Sequence, residues 1–89
     1  MKAIVTVIGK DTKGIIAKVS NFLFERDINI EDISQTIMQD FFSMVMMVNI
    51  KDIKTPFSVI SNEIGELGKE MGLEIRIQSE EIFNAMHKI

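Results

Sequence analysis

Apolar residues follow two different rhythms along this chain, and the changes of rhythm divide it into segments. From Lys2 to Ile8 apolar and β-branched residues stand on both parities, as a strand covered on both faces requires. Beyond a polar turn, Ile15, Ile16, Val19, Phe22 and Leu23 recur at helical spacing up to Arg26-Asp27. That predicts an amphipathic helix, with Asp11 or Thr12 in position to cap it. In the next segment Ile28 and Ile30 share one parity, while Ile33 and Ile37 share the other. A strand with a bend or bulge near Glu31-Asp32 reconciles them.

Gln39-Asp40 is a break of hairpin length, and Phe41 to Ile50 is the most apolar run of the chain. Phe42, Met44, Met46, Val48 and Ile50 lie on one face, with Phe41, Val45 and Met47 on the other, so this strand is expected at the centre of a sheet. Thr55-Pro56 reads as a helix start, a capping threonine followed by proline at the first helical position. Phe57, Ile60, Ile64, Leu67 and Met71 then form one apolar stripe, and Gly72 suits the left-handed residue after the last turn. Leu73, Ile75 and Ile77 alternate with Glu74, Arg76 and Gln78, the pattern of a strand with one wet face. Ser79-Glu80-Glu81 opens a short terminal helix whose anions stand at its start and whose His87-Lys88 stand at its end, matching the helix dipole.

The order β-α-β-β-α-β specifies an α+β, ferredoxin-like fold filling residues 1–89 as one domain. Right-handed crossovers place strands one and three in the middle of an antiparallel sheet of order 4-1-3-2, with both main helices on one face. The third strand's second face is then too apolar to stand in water, and a partner subunit or the terminal helix must cover it.

Charge and composition narrow the function. A net charge of −3 with a pI near 5.0 disfavours nucleic acid or an anionic membrane as the main partner, since both select a concentrated positive field. RNA-recognition domains share the topology, but the first strand lacks their stacking aromatic and "FFSMVMMV" lacks their basic start. With no cysteine in the chain, disulfides, Cys-ligated metals and thiol nucleophiles drop out. The opening apolar run is too short for a signal peptide, and cytoplasmic residence is expected. His87 is the lone histidine, without visible companions for a metal. The adjacent acidic pairs Glu31-Asp32 and Glu80-Glu81 are not placed as acid–base dyads. No cofactor, metal or catalytic residue is expected, so the chain reads as a binding protein and not an enzyme.

The candidate site is the turn Gly9-Lys10-Asp11-Thr12-Lys13-Gly14. It is not a P-loop, because Ile15-Ile16 follow Gly14 where Lys and Ser or Thr belong, and it lacks the third glycine of a dinucleotide fingerprint. Free backbone N–H groups at Gly14 and Ile15 could still hold a single carboxylate, with Asp11 accepting from an ammonium. The residues equally allow that Asp11 only caps the helix and Gly14 only permits the turn.

The stretch "VTVIGKDTKGIIAKVSNFLFERDINIEDISQT" resembles the opening of an ACT domain. It shows a strand, then Gly-x-Asp-x-x-Gly-Ile, an amphipathic helix, and an Ile-Asn-Ile start to the second strand, and the likeness continues through the later elements. Among such proteins, "DISQT" and a short C-terminal helix most resemble stand-alone bacterial members related to the glycine-cleavage transcriptional repressor. The resemblance implies a regulatory module that binds a small molecule, an amino acid, at the seam of a homodimer. Asp11, Gly14 and Ile15 would hold one side of the ligand, and Asn29 with Ile30 the other, contributed by the neighbouring domain. A signal of this kind would have to pass through a separate protein partner. The alternative is a structural or protein-interaction domain with a vestigial ligand site.

Overall fold

The protein is described by a computed structural model covering residues 1–10 and 12–87, together with the side chains up to Ala85. The proposed roles of Asp11, Lys88 and the His87 side chain lie outside the described residues. In chain order the elements are β1 (Lys2–Lys10), α1 (Ile15–Glu25), β2 (Asn29–Met38), β3 (Phe41–Asn49), α2 (Phe57–Met71), β4 (Leu73–Ser79) and α3 (Glu80–His87). The four strands form one sheet of order β2-β3-β1-β4, antiparallel at every pairing. This is the expected ferredoxin-like arrangement, read from the other edge.

One face of the sheet carries the core. Ala3, Val5 and Val7 of β1 lie beside Met44, Met46 and Val48 of β3 and Ile75 and Ile77 of β4, all buried. Ile15, Val19, Phe22 and Leu23 of α1 and Ile60 and Ile64 of α2 close over them in the same cluster, with Phe57, Leu67 and Met71 packed at its margin. Ile16, which shares the helical spacing, is turned outward on the α1 flank. At Gly68, α2 comes so close to β4 that an added Cβ would stand 2.8 Å from the Leu73 carbonyl oxygen. Helix and strand can only approach this far where the side chain is absent.

The bulge expected near Glu31 is present. The β2–β3 register jumps between Ile30, opposite Val48, and Asp32, opposite Met47. The extra residue brings Ile30, Ile33 and Ile37 onto the helix-covered side, opposite Val48, Met46 and Phe42, which resolves the parity slip in the sequence. Helix ends differ more from expectation. Thr12 does not cap α1: the N-cap is Gly14, two residues later, at φ 81°. Nor does Thr55 cap α2. Pro56 takes the N-cap itself, with the extended ψ of 142°, and the helix begins at Phe57. The ring fixes φ at a value that both a helix and an extended entry accept, so proline can precede the first helical residue as well as occupy it. Gly72 ends α2 at φ 70° as read.

α1 ends in a Schellman motif, with the Ile28 N–H donating to the Leu23 carbonyl and the Asp27 N–H to that of Phe24, and Asp27 in the left-handed conformation. Arg26 then ties α1 to α2. Its Nε donates to Glu63 at 3.0 Å and its Nη1 to the Phe22 carbonyl at 3.0 Å, while its guanidinium lies 3.5 Å from the centroid of the Phe22 ring.

The second face of the sheet is only partly covered. α3 follows Ser79 without a loop, capped by Ser79 Oγ accepting from the Ile82 N–H, and packs on β1 and β4. Ile4 is buried on that face, whereas Ile8 and Val45 remain open. Of the two coverings the sequence allowed, the terminal helix supplies one part.

Candidate functional site

Gly14 and Ile15 stand where β1 has ended and α1 begins. Gly14 is in the left-handed region with nothing within 4 Å of a virtual Cβ. Positive φ, not close approach, is therefore what selects glycine there. The Ile15 side chain is buried in the core, so only its backbone can face a ligand. The first helical bond runs from the Lys18 N–H to the Gly14 carbonyl at 3.0 Å. The N–H groups of Ile15, Ile16 and Ala17 precede that bond at the positive end of the helix dipole.

Asn29 and Ile30 are placed at the other end of the molecule. Asn29 pairs with Asn49, which pairs with Lys2 at the beginning of β1. Lys10, next to the turn, pairs with Phe41, which pairs with Met38 at the end of β2. At about 3.3 Å per residue along a strand, the length of β1 separates the two halves by roughly 26 Å. The chain thus brings Gly14 and Ile15 together, and Asn29 and Ile30 together, but not the one pair with the other.

Around Asn29 the surface is polar and shallowly concave. A pocket of about 220 Å³ is lined by Phe24, Asp27, Ile28, Asn29 and Asp52. Two carboxylates therefore flank Asn29, which the sequence reading did not anticipate. Asp27 is hidden in sequence as a helix ending, and Asp52 reaches the pocket only through the β2–β3 pairing. Ile30 is half-buried against the core. At the bulge, the Glu31 carboxylate is 3.2 Å from Lys2 Nζ and accepts from Asn49 Nδ2 at 3.5 Å. The hydrogen bond from Lys2 leads in holding its pKa below the ordinary glutamate range, with those from Asn49 and the nearby positive charges adding to it against some desolvation. Among the described residues, no cluster of His, Asp and Glu is arranged to hold a metal ion, and no helix is long and apolar enough to cross a membrane.

A four-stranded antiparallel sheet with two helices on one face and a glycine-opened β1–α1 turn is the arrangement of an ACT domain, and residues 2–78 match that family. ACT domains are small-molecule-sensing regulatory modules, not catalysts, and this chain is not an enzyme. More particularly, the chain belongs to the UPF0237 family: it is 53% identical over 89 residues to a UPF0237 protein of Listeria innocua, covering 100% of both chains. An ACT domain protein from Streptococcus pneumoniae has the same fold at a TM-score of 0.82 and 45% identity, covering 98% of each chain. A candidate glycine cleavage system transcriptional repressor superposes at a TM-score of 0.72, over 86% of this chain and 44% of that one. At 19% identity, that likeness shows the fold alone.

Proposed function

We propose that this chain is an amino-acid-sensing module that works as a homodimer, with its ligand at the seam between two copies, and that it signals through a separate protein partner. The observation that carries the reading is the separation of the two half-sites along one sheet. Gly14 and Ile15, with Asp11 beside them in sequence, would supply one half, and Asn29 and Ile30 the other. No single chain joins them, but a second copy can.

The β2 edge offers the means. It is the exposed margin of the sheet, and Ile33 and Ile37 stand on its helix side beyond the cover of α1. On α1 itself, Ile16 and the 78% exposed Phe24 are turned outward. An edge strand flanked by apolar side chains is a template for pairing. Isologous antiparallel pairing of β2 with β2 sets the Asn29 end of one copy against the Met38 end of the other. The β1–α1 turn lies at that Met38 end. This supports edge pairing over face stacking, because α3 already occupies part of the second face.

In such a seam, the amides opening α1 would take the ligand carboxylate, and Asn29 with the Asp27 and Asp52 carboxylates would take its ammonium. The kinship with the glycine-cleavage repressor group is part of the same proposal and makes glycine a ligand to test first. The experiment is a thermal-shift screen of the twenty amino acids on the wild type and on Asn29→Ala. A ligand at a hundredfold its Kd adds about 2.7 kcal/mol. A shift seen in the wild type and lost in Asn29→Ala supports the reading. Absence of any shift favours a structural domain with a vestigial site.

A further inference from the structure

β4 sends Leu73, Ile75 and Ile77 into the core and leaves Glu74, Arg76 and Gln78 on the opposite face. On that same face β1 presents Thr6 and Ile8, and β3 presents Val45. α3 turns back across it and brings Phe83 over the sheet. Together these residues line a pocket of about 420 Å³, within the size range of small-molecule sites. The pocket lies within one chain, on the face away from α1 and α2, and it shares no lining residue with either half of the seam site.

Its chemistry is specific enough to name a ligand class. Ile8 is 49% and Val45 40% exposed, so the floor is apolar and accessible. The charges among the lining residues are Glu74 and Arg76, paired with each other at 2.7 Å, with side chains 64% and 66% exposed. An ion pair this exposed contributes little to stability, and a ligand that supplies the opposite charges can open it at small cost. Among the described lining residues the two charges cancel, so neither a bare anion nor a bare cation complements them. A zwitterion does. Its carboxylate can take the guanidinium fork of Arg76 and its ammonium the carboxylate of Glu74, with an aliphatic side chain on Ile8, Val45 and Phe83.

We propose that this pocket is a second small-molecule site, complete in a single chain, for an aliphatic zwitterion of amino-acid size. It does not depend on the dimer seam. The test is an NMR titration of the full chain with L-leucine, with 4-methylpentanoate, which lacks the ammonium, and with 3-methylbutylamine, which lacks the carboxylate. Leucine should give saturable shifts at Ile8, Val45 and Phe83. Each truncated analogue should bind about tenfold more weakly, the scale of one charge-assisted hydrogen bond. Glu74→Gln and Arg76→Gln should each lower, by a similar factor, the leucine affinity read from the shifts at Ile8, Val45 and Phe83. Absence of saturable shifts at these residues would overturn the proposal, as would equal affinity for the three probes or undiminished binding in both charge variants. Shifts confined to the Gly14 and Asn29 ends would overturn it too, while sustaining the seam.

Discussion

Gly14 and Gly68 are glycines for different reasons, and substitution separates them. At Gly68 the obstacle is the β4 backbone, with the Leu73 carbonyl 2.8 Å and the Ile75 nitrogen 3.2 Å from an added Cβ. Backbone cannot give way as a side-chain tip can, so Gly68→Ala should destabilise the fold by about 1–3 kcal/mol, as overpacking does. A urea midpoint unchanged from wild type would show that α2 and β4 are less closely set. Glu31 makes a prediction of a different kind. Its pKa is lowered in the folded chain, chiefly by the Lys2 hydrogen bond, so its contribution is present above the ordinary glutamate value and is lost as pH falls through the depressed one. Glu31→Gln should therefore lower the neutral plateau slightly and flatten the acid side of the stability–pH curve, meeting wild type where Glu31 is protonated. An acid limb identical to wild type would mean that the Lys2 contact is not formed in solution.

Between elements, Arg26 ties α1 to α2 beside the core that both helices share. Arg26 combines a cation–π contact, a backbone hydrogen bond and an ion pair with Glu63. Its side chain is partly buried at 22% exposure, while Glu63 is more open. Arg26→Ala should cost about 1–2 kcal/mol, mostly from the stacked and hydrogen-bonded guanidinium and little from the screened charge. Thermal melts at low and high salt check this: the loss should persist in salt, and a loss that salt erases would assign it to the ion pair.

None of this junction was legible beforehand, because it joins residues far apart in sequence through a polar side chain that no apolar rhythm marks. The strands were legible for the opposite reason. Alternation in β3 and β4 records which face meets the core, and even the Glu31 bulge left its trace as a slip of parity between Ile30 and Ile33. Caps were the weakest reading. Thr12 and Thr55 have the right chemistry, but Gly14 and Pro56 hold the N-cap positions through backbone geometry. Of the candidate site, the sequence offers residue types but not their placement. Only the strand register shows that Asn29 lies at the far end of the sheet from Gly14.

For the whole molecule, that separation is what makes a second copy necessary to the proposed site. Ile37 is 52% exposed on the β2 margin, so Ile37→Glu should leave the monomer folded while placing a charge in the paired edge. Light scattering should then report a dimer for the wild type and a monomer for the variant. A wild-type monomer at micromolar concentration would remove the edge from the account. The most direct measurement joins assembly to ligand: the change in melting temperature produced by each amino acid in wild type, Asn29→Ala and Ile37→Glu. The account predicts at least one amino acid that raises the wild-type value by roughly 10–20 °C at a hundredfold its Kd, an effect that disappears in both variants. If no amino acid raises it, or if every rise survives intact in the monomeric Ile37→Glu chain, the seam is not where this protein senses its ligand.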